Sequence, residues 1–161
     1  MKSFEWTARF VEYDTPEELP EEIHALMLRA EEAREKAYAP YSHFKVGAAV
    51  LLEDGVVVTG NNQENGAFPS GLCAERVALF AAGAEHPAVK AEALFITARA
   101  VDHDLSEPVA PCGACRQVMA ETEQSQGHPM RVFFHGTTGR ILEADSVEAL
   151  LPFTFKFRDW E

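Results

Sequence analysis

No stretch of this 161-residue chain holds the roughly 18 uninterrupted apolar residues that a membrane-crossing helix needs, although 47% of its residues are hydrophobic. Basic residues are scarce as well, 14 against 26 acids, for a formal net charge of −12. Such a surface repels phosphate backbones and argues against a nucleic-acid partner. Cysteine is rarer still. There are three, an odd number that speaks against a disulfide framework. A reducing compartment would keep them as free thiols. Internal repeats and low-complexity tracts are missing, and residues 1–10 lack the continuous apolar core of a secretory signal. The expectation is a soluble, cytoplasmic protein with no membrane partner: an N-terminal extension over residues 1–19 and one domain over 20–161.

The cysteines that are present fall in two short motifs, Cys73-Ala74-Glu75 and Pro111-Cys112-Gly113-Ala114-Cys115. Three thiolates can hold one zinc ion and leave its fourth position to water, which separates a catalytic zinc from a structural one. Glu75, just past the first cysteine, is placed to move protons at that water. Read alone, Cys112 and Cys115 could be a redox pair or half of a structural zinc site. A structural site needs a fourth ligand. None of His24, His43, His86, His103, His128 and His135 falls at a paired zinc spacing.

Periodicity sets the cysteines in a framework. After Pro20, residues Ile23, Leu26, Met27, Ala30, Ala33 and Ala37 recur at helical spacing, with glutamates at the start and Pro40 as a stop. Val46 to Leu52 and Val56 to Thr59 read as strands joined by the turn signal Asp54-Gly55. Residues 61–72 read as loop, 73–83 as a buried helix, 91–100 as a strand and 102–111 as loop. Residues 112–123 then read as a helix, with strands at 131–135 and 140–142 and a short helix to Leu151 capped by Ser146. The tail carries Phe153, Phe155, Phe157 and Trp160. This order predicts an α/β fold: a three-layer α/β/α arrangement on a mixed sheet of about five strands. Both cysteine motifs then open helices, where free N–H groups and partial positive charge favour thiolate. Arg76 or Arg116 could offset the remaining charge of three thiolates on one cation.

Four blocks, in order, resemble the cytidine deaminase family in its small-subunit form with three cysteine ligands. They are Tyr38-Ala39-Pro40-Tyr41-Ser42-His43-Phe44-Lys45-Val46-Gly47-Ala48-Ala49, then Asn62-Gln63-Glu64-Asn65 followed by Cys73-Ala74-Glu75-Arg76. Pro111-Cys112-Gly113-Ala114-Cys115-Arg116-Gln117 comes next, and Leu150-Leu151-Pro152 with Phe155 closes the set. The resemblance implies Zn2+ on Cys73, Cys112 and Cys115, activating water for attack at C4 of a pyrimidine while Glu75 carries the protons. It further implies that Asn62 and Glu64 bind the ribose hydroxyls and that Phe44 packs on the base. In the same scheme the Ala74 N–H meets the base carbonyl, Arg76 hydrogen-bonds the thiolates, and Phe155 reaches a neighbouring subunit's site. The implied activity is hydrolytic deamination of free cytidine and deoxycytidine in pyrimidine salvage by a homotetramer with shared active sites. A blasticidin-type or other nucleoside-analogue deaminase is the alternative. Phe68 stands where the family often has tyrosine, and Gly66 and Pro69 alter the same loop.

Overall fold

The computed structural model describes residues 1–156. Phe157 and Trp160 of the aromatic tail lie outside the described residues. The elements, in chain order, are β1 (Phe10–Tyr13), α1 (Glu21–Glu35), β2 (Phe44–Leu52), β3 (Val57–Asn61) and α2 (Ala74–Glu85). They continue with β4 (Ala91–Ala100), α3 (Gly113–Gln126), β5 (Arg131–His135) and β6 (Ile141–Ala144), then a 3₁₀ turn at Val147–Ala149. Among the described residues no helix is long and apolar enough to cross a membrane.

The strands form one mixed sheet of six, in the order β1-β6-β5-β4-β2-β3. The expectation was about five. The sixth is β1, which lies within residues 1–19 and pairs antiparallel with β6, Phe10 opposite Ala144 and Tyr13 opposite Ile141. Four residues in alternation are too short a pattern to separate from a charged terminal segment. Among the described strands only β4 and β5 are parallel neighbours. A parallel neighbour needs a crossover, and α3 supplies it.

β2 and β4 read as near-continuous apolar runs because they sit inside the sheet with helices on both sides. Their alternate residues feed two separate cores. Ala48, Val50, Leu94, Ile96, Val132 and Phe134 pack against α2 and α3. Ala49, Leu51, Phe95 and Phe133 pack against Ile23, Leu26, Met27 and Ala30 of α1. Phe95 and Phe133 stack there with ring centroids 5.8 Å apart. The result is three layers, helix, sheet, helices. The Asp54-Gly55 turn joins β2 to β3, with Gly55 at φ +83°, a conformation glycine adopts without steric penalty.

The topology also sets where the helices begin. β3 and β4 both run antiparallel to β2, and Gly47 near the start of β2 pairs with both Asn61 and Thr97. So β3 and β4 end at the same edge of the sheet. The chain leaving each one turns back into a helix, which brings the N-termini of α2 and α3 to that shared edge.

Candidate active site

Cys73 is the residue that caps the N-terminus of α2, and Cys112 does the same for α3, with Cys115 in the first turn of α3. Cys73 and Cys112 Sγ lie 3.8 Å apart, and Cys112 and Cys115 Sγ 3.4 Å. All three sulfurs fall within 4.8 Å of one another, and among the described residues no histidine, aspartate or glutamate joins the group. Four-coordinate zinc with Zn–S of about 2.3 Å requires sulfurs about 3.8 Å apart, so this donor set fits Zn2+ with one position free of protein.

The sulfurs also have the electrostatics of a ligand set. The Cys73 thiol is held down to about 5, chiefly by a hydrogen bond from Cys115 and then by the Arg76 guanidinium. Cys115 is pushed up because its proton is what binds the Cys73 sulfur. A cation replaces that shared proton, so metal binding here releases protons. Two helix N-termini add positive potential. Arg76 Nη2 donates to Cys73 Sγ at 3.6 Å, while Arg76 Nε, buried, has no partner.

Glu75, the second residue of α2, is 4% exposed. Burial raises its carboxyl above the usual range, and the neighbouring Cys73 charge adds to the effect. A carboxyl shifted in this direction is suited to exchanging protons with a neighbouring group. Ala74, wholly buried, is the first residue of α2, and N–H groups in a first turn lack intrahelical partners.

A cleft of about 480 Å³ opens beside Cys73 and Arg76 and contains Asn62 and Glu64. Both of these side chains are already anchored. Asn62 Nδ2 donates to the Phe44 carbonyl at 2.9 Å, and its Oδ1 accepts from Val46 N at 2.8 Å. Glu64 accepts from the Ser42 hydroxyl and from the backbone N–H groups of Tyr41 at 2.9 Å and Ser42 at 3.3 Å. The Ser42 bond is the main reason its carboxyl sits below the usual range. Spare capacity remains: an amide has two donors and two lone pairs on oxygen, and a carboxylate accepts about four bonds.

The other expected residues are distributed unevenly. Phe44 opens β2, half-buried, joined to Asn62 through its carbonyl rather than lining the cleft. Phe155 is 61% exposed and outside this cleft; only its carbonyl is held, by Gln117 Nε2 at 3.4 Å. The sequence marks Phe68 as a departure in the loop but not its pairing with Tyr41: the two rings meet edge to face at 5.9 Å and form an aromatic wall of the cleft. The signal was available in Phe68, a large apolar residue inside a polar loop.

The family model for the cytidine and deoxycytidylate deaminase zinc-binding region matches residues 20–127. A cytidine deaminase from Halalkalibacterium halodurans is 44% identical over 134 residues, 83% of this chain and 94% of that protein. One from Sporosarcina psychrophila is 42% identical over 138 residues, 86% of this chain and 94% of its own length. The crystal structure of cytidine deaminase from Burkholderia pseudomallei superposes with a TM-score of 0.69 at 42% identity, covering 82% of this chain and 98% of that one.

Proposed function

Because the chain belongs to the cytidine deaminase family, we propose that it hydrolyses free cytidine and deoxycytidine to uridine and deoxyuridine, with release of ammonia. The observation that carries this reading is the trio of sulfurs spaced for one cation, with a buried carboxyl of raised pKa on the same helix turn. Bound Zn2+ supplies a Lewis acid that makes water acidic enough to act as a nucleophile near neutral pH.

The chain's own groups do the rest. Cys73, Cys112 and Cys115 hold the cation. Glu75 takes a proton from the attacking water and delivers it to N3 of the ring, then takes the second proton from the new C4 hydroxyl and passes it to the amine, which leaves as ammonia while the C4 carbonyl forms. The Ala74 N–H binds the base carbonyl, and Phe44, set back from the cleft, supports it by holding the Asn62 amide through its carbonyl. Asn62 and Glu64, fixed beforehand by backbone bonds, use their spare donor and acceptor sites on the ribose hydroxyls. Arg76 neutralises thiolate charge.

Charge favours a nucleoside over a nucleotide. Glu64 puts an anion in the cleft, and the one cation among the described residues that line it, Arg76, is committed to Cys73. The same balance, at −12 overall, disfavours an oligonucleotide. Phe155, exposed and away from its own cleft, suits a role at a neighbouring subunit's site in a homotetramer. Free cysteines suit a cytoplasmic salvage enzyme.

One assay tests the proposal: loss of cytidine absorbance by zinc-loaded protein, and by the same protein after chelation. Rapid loss that stops on chelation and returns with Zn2+ is expected, with cytidine 5′-monophosphate and blasticidin S turned over far more slowly. Inert cytidine beside rapidly consumed blasticidin S would refute the substrate assignment.

A further inference from the structure

Arg116 occupies an unfavourable position for a cation. It is the fourth residue of α3, near the positive end of the helix dipole. Two carbonyls offset that. Its Nε donates to Pro111 O at 2.8 Å, and its Nη1 donates to Leu150 O at 2.7 Å. Pro111 immediately precedes Cys112. Leu150, 6% exposed, ends the 3₁₀ turn Val147–Ala149, beyond which the tail departs. One planar fork therefore joins the start of the cysteine turn to the start of the C-terminal segment. The next residue, Gln117, repeats the link at the Phe155 carbonyl.

Glu123 lies seven residues further along α3, two helical turns, and so on the same face. Its carboxylate accepts from Val147 N at 3.0 Å and Ser146 Oγ at 3.3 Å, and from Met130 N at 2.8 Å. The 3₁₀ turn is thus held at both ends by α3, its leading N–H by an acid and its trailing carbonyl by a base. Only the basic end continues to the cysteines.

We propose that Arg116 is a positioning residue for the metal ligands: it sets the Cys112–Cys115 turn against the C-terminal segment, making that segment part of the frame of the centre. The proposal rests on the reading of the three sulfurs as a zinc site. Guanidinium geometry is what allows one side chain to reach two carbonyls at once, so lysine replaces it only in part.

The test measures zinc affinity by chelator competition, and the thiolate-to-metal absorption of the Co2+-substituted protein. Arg116→Ala is expected to weaken zinc about 10–100-fold, the usual range for groups that orient ligands, and to shift the Co2+ bands. Arg116→Lys recovers part of both, and carries the comparison if the alanine variant does not fold. Glu123→Ala frees the same 3₁₀ turn from its other end; it lowers the thermal midpoint and leaves zinc affinity and the Co2+ spectrum unchanged. Unaltered affinity and spectrum in both Arg116 variants would overturn the proposal. So would an equal loss in Glu123→Ala, which would mean that any loosening of the segment suffices. Wild-type protein that takes up no zinc at its cysteines would overturn the zinc-site reading itself, an outcome visible before any variant is made.

Discussion

Arg34 of α1 and Arg76 of α2 lie on opposite faces of the sheet, and the two are treated differently. On the α1 face, Arg34 is 6% exposed and no buried nitrogen of its guanidinium lacks a partner. Nη1 donates to Thr97 Oγ1 at 2.7 Å, Thr97 Oγ1 donates onward to Gly136 O at 3.0 Å, and Nε reaches Glu35 at 3.3 Å. On the α2/α3 face, Arg76 bonds a sulfur, and its Nε is the one buried side-chain nitrogen or oxygen without a partner among the described residues. The sulfurs there hydrogen-bond chiefly one another. A satisfied buried network rigidifies a core, whereas an unsatisfied one marks a place organised around something else. The same sheet therefore supports a closed structural face and an open chemical one. The difference lies in which helix ends meet its edge.

The strongest way to break this contrast is to remove the proton carrier from the open face. Glu75→Ala should lower kcat by about 10²–10⁴-fold, the usual contribution of a general acid–base group, while keeping the fold and bound zinc. Steady-state kinetics with metal analysis of the same sample check both halves. A variant turning over near the wild-type rate would remove Glu75 from the mechanism.

A matched pair of glycines sharpens the contrast. A Cβ on Gly47 would meet Ala30 O of α1 at 2.1 Å, and one on Gly60 would meet Ala78 N and Ala74 O of α2 at 2.5 and 2.6 Å. The obstructing atoms are backbone in both cases, so each alanine substitution should destabilise by about 3 kcal/mol, the upper part of the overpacking range. Only Gly60→Ala pushes on the helix that carries Cys73 and Glu75. It should weaken zinc binding and lower kcat, whereas folded Gly47→Ala protein should keep both. Denaturant midpoints, zinc titration and rates on the two proteins decide it. Equal kinetic damage would mean that the faces are mechanically coupled.

Local patterns in the sequence identified most of this architecture, and the exceptions share a cause. Cys73 and Cys112 precede apolar helical runs, so their positions at helix starts were readable from spacing alone, as were the Asp54-Gly55 turn and the Ser146 cap, whose oxygen accepts from Glu148 N. Cys112 and Cys115 come together by one turn of helix. Cys73 joins them only because β3 and β4 flank β2 in the same direction, and no local pattern encodes strand order. β1 was missed because its partner, β6, is more than a hundred residues away. The anchoring of Glu64 by Ser42 and the reach of Arg116 to Leu150 have the same origin, being contacts between residues 22 and 34 positions apart with whole strands or helices between them. The aromatic position Phe155 was legible as a motif, but its exposure in one chain was not.

The smallest expected effect belongs to the closed face. His135, 2% exposed at the end of β5, is held below its ordinary pKa, first by burial and also by Arg34; Glu31 of α1 and the Arg140 carbonyl oppose this. His135 Nδ1 donates to Arg140 O at 3.2 Å in the neutral form. In the unfolded chain the imidazole takes up a proton near about pH 6.5, and in the folded protein only at lower pH. Between those values the unfolded state binds more protons, so stability rises with pH. The contribution is complete above the unfolded pKa and is lost as pH falls through the folded one. His135→Asn keeps an N–H for the Arg140 carbonyl and removes the titration. Urea unfolding of zinc-free wild-type and variant protein from about pH 5 to 8 isolates the term, since other titrating groups cancel in the difference. The wild type should lose stability relative to the variant on the acid side, by less than either glycine substitution does. Parallel curves would mean that the imidazole is not the group that makes this face acid-sensitive.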